Sequence, residues 1–201
     1  MKKVVWLVIF FTVLLWSAIN PHDRYTWFLE VIPALIGLVV LIFTYRQFPL
    51  SSLVYILILV HCIVLMVGGH YTYAEVPLFD WIKEAFNLER NNYDKVGHFI
   101  QGFVPAMIAR EILIRKRIIN GRGWLFFLVV CFVLAFSAFY ELIEWWVALT
   151  SGESAEAFLG TQGDIWDTQS DMAVALIGGI IAQILLSRWH DRQLLQLSVR
   201  Y

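Results

Sequence analysis

The chain has 201 residues, of which 60% are apolar and only 15% charged, and its mean hydropathy is +0.69, where soluble domains carry roughly a quarter charged residues. With a formal net charge of −1 and no basic stripe, nucleic acid is excluded as a partner, and membrane lipids are the surroundings this composition fits. Cys62 and Cys131 both lie inside apolar runs, give no disulfide framework and no CxxC pair, and read as small buried hydrophobes.

A helix needs about 20 mostly apolar residues to cross a bilayer. Six stretches predict such helices, at about 3–19, 28–45, 50–69, 96–114, 124–148 and 171–188. The expected fold is all-α, a polytopic helical membrane protein forming a single integral-membrane domain over residues 1–201. The first stretch, MKKVVWLVIFFTVLLWSAIN, has the basic tip of a secretory signal peptide. Its apolar run of about 16 residues and its lack of a small-x-small cleavage site predict an uncleaved span instead. Pro33 and Pro105 fall inside the second and fourth spans, where a missing backbone donor favours a kink.

Between the third and fourth spans, VPLFDWIKEAFNL places Leu78, Phe79, Ile82, Ala85 and Phe86 on one helical face and Asp80, Lys83, Glu84 and Asn87 on the other. That pattern predicts a short helix lying on the membrane surface. Trp27, Tyr45, Tyr71, Tyr73, Trp124, Trp145 and Trp146 sit near span ends and read as interfacial anchors. Gly178 and Gly179, with Ala173, Ala175 and Ala182, give the last span a small-residue face for close helix packing.

The cationic residues orient the spans. Lys2, Lys3, Arg46, Arg115, Lys116, Arg117, Arg122, Arg188, Arg192 and Arg200 fall on one side, and Arg24, Lys83, Arg90 and Lys95 on the other. This bias predicts that both termini are cytoplasmic. Arg110 and Glu111, near the cytoplasmic end of the fourth span, are expected to snorkel.

Three polar motifs then fall at the outward ends of their spans. In NNYDKVGHFIQGF, Asp94 and His98 stand four apart, with Gln101 one turn deeper. In FYELIEWW, Glu141 and Glu144 stand three apart, and in DIWDTQSDM, Asp164, Asp167 and Asp171 run three then four apart. Each set is one helical stripe. A carboxylate facing lipid is costly, so the stripes are expected to meet in one cleft. There the mutual repulsion calls for a bound cation, for shared protons, or for Lys95, His98 and His70 as neutralising partners. A carboxylate-rich, histidine-poor set suits a divalent ion, with Zn, Mn and Mg all compatible. His61, nine residues before His70, reads as a core residue or pore element rather than a ligand.

The segments DKVGHFIQGF, YELIEWW and GTQGDIWDTQSDMAVALIGG resemble the YjdF-like family of bacterial inner-membrane proteins, over most of the chain. That resemblance implies a multi-pass protein of the bacterial inner membrane and no particular reaction. More remotely, the second half is similar to the VanZ-like proteins of the cell envelope. On their pattern, Asp94, Lys95, His98, Glu141 or Glu144, and Asp171 are the matching positions, although an acidic GDIWDTQSD stands where that pattern often has a basic residue. Three readings of the site stay open at this level. It could act on a lipid-linked or envelope substrate, it could belong to a non-enzymatic scaffold or accessory protein, or it could belong to a small proton-coupled transporter. Assembly into a homo-oligomer is compatible with each. No GxSxG, HExxH or Ser/His/Asp pattern selects a hydrolase class.

Overall fold

The computed structural model describes residues 3–151 and 161–198. Lys2, Gly160 and Arg200, which figure in the charge map and the last motif, lie outside them. Among the described residues there are seven helices and no strands: α1 (Lys3–Ala18), α2 (Arg24–Thr44), α3 (Ser52–Tyr71), α4 (Pro77–Phe86), α5 (Tyr93–Arg115), α6 (Arg122–Ser151) and α7 (Asp167–Ser198). Four of them, α2, α3, α6 and α7, are long and apolar enough to cross a membrane. The apolar α1 has 16 residues, and α5 has 23 but carries Asp94, Lys95, Arg110, Glu111 and Arg115.

Local signals set the helix ends. Asp23 caps α2 by accepting from the Thr26 N–H at 2.7 Å, and Ser51 caps α3, each satisfying a donor that the first helical turn leaves unpaired. Pro77 opens α4, and Asn87 closes it in the left-handed region, where Asn is tolerated better than most residues. The amphipathic α4 leaves Leu78, Trp81 and Phe86 exposed. It is tethered through Phe79, whose ring lies edge-on to Tyr93 at 5.3 Å, and through Asp80, which accepts from Asn91 Nδ2 at 2.8 Å.

α5 is the centre of the bundle. It packs most extensively on α7 and also against α3 and α6, while α1 and α2 lie on α3. The main core is an apolar cluster that includes Phe10, Val31, Met66, Val104, Met107, Val129 and Ala182, and a smaller cluster of Tyr73, Val76 and Tyr93 has Phe79 of α4 packed against it. Exposed Ile36, Val39, Ile42 and Phe43 on α2 and Phe132, Phe136 and Phe139 on α6 give the exterior an apolar surface, of the kind that water-facing proteins avoid.

α7 runs about ten residues beyond the apolar stretch that predicts it. Arg188, Asp191 and Arg192 end the hydropathic signal, but His190 and Leu194 stay buried on one face and continue the helix. Of the small-residue face, Ala175, Gly178, Gly179 and Ala182 are buried, and Ala173 is exposed. Cys62 is buried as expected, while Cys131 is exposed. α2 and α5 continue through Pro33 and Pro105 as single helices.

Candidate functional site

The α5–α7 crossing positions the site. A Cβ on Gly102 would lie 1.8 Å from the Ala175 carbonyl oxygen, and one on Gly178 would lie 2.2 Å from that of Phe99. Only glycine lets the two backbones meet this closely. Both helices run the same way from here, and His98 and Asp171 each stand one turn before the contact, on the faces that meet.

One ligand atom each from Asp94, His98 and Asp171 lies within 4.8 Å of the others. The Nε2 of His98 is 3.3 Å from Asp94 Oδ1 and 3.8 Å from Asp171 Oδ2. All three residues are buried. The remaining oxygens are held from outside: Asp94 Oδ2 accepts from Arg90 at 3.2 Å, and Asp171 Oδ1 accepts from Lys95 at 2.7 Å. On the other edge of the imidazole, Nδ1 lies 3.0 Å from Gln101 Oε1. An amide oxygen there fixes the hydrogen on Nδ1 and directs Nε2 at the two carboxylates. Outer partners of this kind orient the ligands of metal centres.

The other predicted residues take distinct places. Glu141 is buried, with Oε1 3.7 Å from His98 Nδ1, and among the described residues this oxygen has no hydrogen-bond partner. Glu144 lines a cavity of about 60 Å³ beside His98, several times the roughly 10–15 Å³ that one water requires. Asp167 pairs with Arg90 and, at 2.8 Å, with Lys95. Asp164 stays at the rim, 3.5 Å from Arg90, and accepts from the Trp166 N–H at 2.9 Å. Burial works against the charge on Arg90, yet the hydrogen bond and charge of Asp167, and then the charges of Asp94 and Asp171, hold its guanidinium above its ordinary value.

Three contributors were not singled out from the sequence. Glu30, on α2, is buried and lines the cavity with Tyr73 and Tyr140. Its signal is a lone carboxylate inside a hydrophobic span, a placement usually reserved for function. Arg90 was read only as an outer-side charge. Tyr73 is not an interfacial anchor: it is buried, because Gly68 and Gly97 leave room for its ring, which a Cβ would meet at 2.3 and 2.9 Å. His70, by contrast, turns away from the site. Its Nδ1 lies 3.0 Å from the Ser17 carbonyl, and its ring packs on Trp16 at 4.6 Å.

Arg110 and Glu111 do not snorkel. Glu111 is fully buried and accepts from the Ser51 N–H, Arg115 and His190, each at 2.9 Å. Arg110 bonds His190 Nδ1 at 2.9 Å and Asp191 at 2.7 Å. A guanidinium can only donate, so Nδ1 of His190 is the acceptor and Nε2 carries the hydrogen given to Glu111. Hydropathy cannot separate a side chain reaching for water from one locked between helices.

The bundle and its cluster define a helical membrane protein with a buried carboxylate and histidine centre at one end. Residues 2–192 match the family described as predicted membrane protein (DUF2238), and the chain belongs to that family. It is 54% identical over 182 residues to the inner membrane protein YjdF of Escherichia coli (strain K12), covering 90% of this chain and 87% of that protein. No solved structure matches.

Proposed function

We propose that this is a six-span inner-membrane protein with both termini cytoplasmic, whose Asp94, His98 and Asp171 hold a divalent cation and act on a lipid-linked or envelope substrate at the outer face. The cationic side chains support that orientation, since they concentrate at the end where α5 finishes and α6 begins. One observation carries the cation: two carboxylate oxygens face the same imidazole nitrogen, while their partner oxygens are anchored by Arg90 and Lys95. Seven carboxyl groups, counting Glu30, gather around two permanent cations and one imidazole, so balancing the site calls for a bound cation or for shared protons.

A cation held there would supply a Lewis acid and a water of lowered pKa. Glu141 holds its unpartnered oxygen on the Nδ1 edge of His98, away from the Nε2 that would face the cation, and so would act as a base only through an intervening water. Lys95 and Arg90 hold the carboxylates in place.

The test is metal content and binding. Detergent-purified protein, stripped and titrated with Mn²⁺, Zn²⁺ and Mg²⁺ in a calorimeter, should take up one of them stoichiometrically. Asp171→Asn should weaken uptake by about tenfold or more, whereas Asp164→Asn at the rim should leave it unchanged. Absence of stoichiometric uptake, or equal uptake by both variants, overturns the reading. A second reading, a scaffold in which the charges only lock helices, is favoured by the lattice that Arg90 and Lys95 make with Asp94, Asp167 and Asp171. It predicts that Asp171→Asn lowers thermal stability without changing metal content.

A further inference from the structure

The cavity beside His98 adjoins a larger one. Pro33, His61, Leu65 and Phe136 line it and equally line a second, larger space of about 440 Å³, within the roughly 300–1,000 Å³ of small-molecule pockets. That space is an apolar groove between α2 and α5 over a floor of α3, with Gly37, Leu41, Ile58 and Ile108 among its walls. From Pro33 to Thr44 on α2 it extends about 17 Å at 1.5 Å per residue, more than half of a hydrocarbon core of about 30 Å. Its polar end is the acid and histidine chamber, and its apolar length runs away from that chamber toward Phe48 and Lys116.

We propose that this groove holds the hydrocarbon chain of a phosphate-bearing membrane lipid, whose head group reaches the chamber. The phosphate rests on the cation reading above, because carboxylates alone would repel it, whereas a divalent ion bridges carboxylates and phosphates. The chain rests on geometry: the groove shares Pro33, His61, Leu65 and Phe136 with the chamber, and its α2 wall has an outer face that is exposed and apolar. In a bilayer, the molecule available to fill such a space is a lipid. Gly37 matches this use, since a Cβ there would meet nothing within 4 Å. A side chain at that position would occupy space that the fold leaves to the chain.

Full-length protein loaded with Mn²⁺, in phosphatidylglycerol nanodiscs containing a trace of phosphatidylglycerol with a diazirine in its acyl chain, tests this by irradiation and mass mapping. Labels should concentrate at Ala34, Gly37 and Ile108 over the bilayer-facing Val39. Gly37→Phe, with its ring in the groove, should cut that labelling about tenfold, the effect of excluding two or so methylenes. Ile36→Phe, on the exposed side of the same turn, should not. Competition by unlabelled polyprenyl phosphate or by dioleoyl phosphatidic acid separates isoprenoid from acyl chains. Labelling no higher at the groove than at Val39, or unaffected by Gly37→Phe, overturns the proposal. Stoichiometric Mn²⁺ without groove labelling removes this proposal alone, while groove labelling by a diazirine alkane in protein that binds no metal keeps the chain site and removes the cation centre.

Discussion

Asp23 and Asp171 carry the same side chain, yet their surroundings give them different work. Asp23 sits at the head of α2 outside the bundle, and the hydrogen bond from the Thr26 N–H holds its carboxyl below its ordinary value of 3.8. A depressed pKa in the folded state means that the charged form is preferred there. The stabilisation is therefore fully present above the unfolded value and is lost as pH falls through the folded one. Asp23→Ala should cost about 0.5–2 kcal/mol at neutral pH, and the gap between the two proteins in detergent thermal melts should close below pH 4. A gap that stays constant down to pH 3 would show that the side chain does not act as a charged cap. Asp171, by contrast, divides its two oxygens between Lys95 and the space before His98. The difference between a cap and a member of a buried cluster is not written in the residue type. It was legible from position: Asp94, His98, Glu141 and Asp171 stand at helical spacing at the ends of apolar runs, whereas Glu30 and Tyr73 join the cavity only through contacts between distant segments.

At the scale of helices, hydropathy located the long apolar segments and amphipathy located α4, since both are properties of contiguous sequence. The last ten residues of α7 escaped because their buried face alternates with Arg188, Asp191 and Arg192, and an average over a window cancels the two. The closeness of α5 and α7 was only half legible. Gly178 and Ala175 marked one helix, but nothing in the sequence paired them with Phe99 and Gly102. That contact is the element on which the site depends, because it places His98 opposite Asp171. Gly102→Val would drive two methyls into the Ala175 carbonyl, where even a Cβ would stand at 1.8 Å. Overpacking of this kind costs about 1–3 kcal/mol or more, and here the relief is separation of the helices. The variant should melt earlier and, where still folded, bind Mn²⁺ more weakly although every proposed ligand is intact. Gly123→Ala, with nothing within 4 Å of its Cβ, is the matched control and should change neither.

Across the whole molecule, charge pins the α5–α7 pair at both ends, and the two ends differ in completeness. At the site end, Glu141 Oε1 is buried without a hydrogen bond among the described residues. At the other end the network closes on itself: Glu111 accepts from three partners, and both nitrogens of His190 are engaged. The same network fastens α3. Its first-turn donors are satisfied from other helices, the Ser51 N–H by Glu111 and the Leu53 N–H by Gln193 Oε1 at 2.9 Å, and a carboxylate suits the positive end of a helix dipole. Glu111→Ala removes the acceptor for a backbone N–H, a buried imidazole N–H and Arg115 together, and breaking a buried pair from one side costs about 3–5 kcal/mol. Chemical denaturation in detergent should show a loss of that order, with Glu111→Gln, which keeps one acceptor oxygen, falling in between. Metal uptake by the fraction of Glu111→Gln that remains folded should match the unaltered protein, because the two ends share the helices and not the ligands. A parallel loss of metal would mean that the far network, rather than the glycine crossing, sets the geometry around His98.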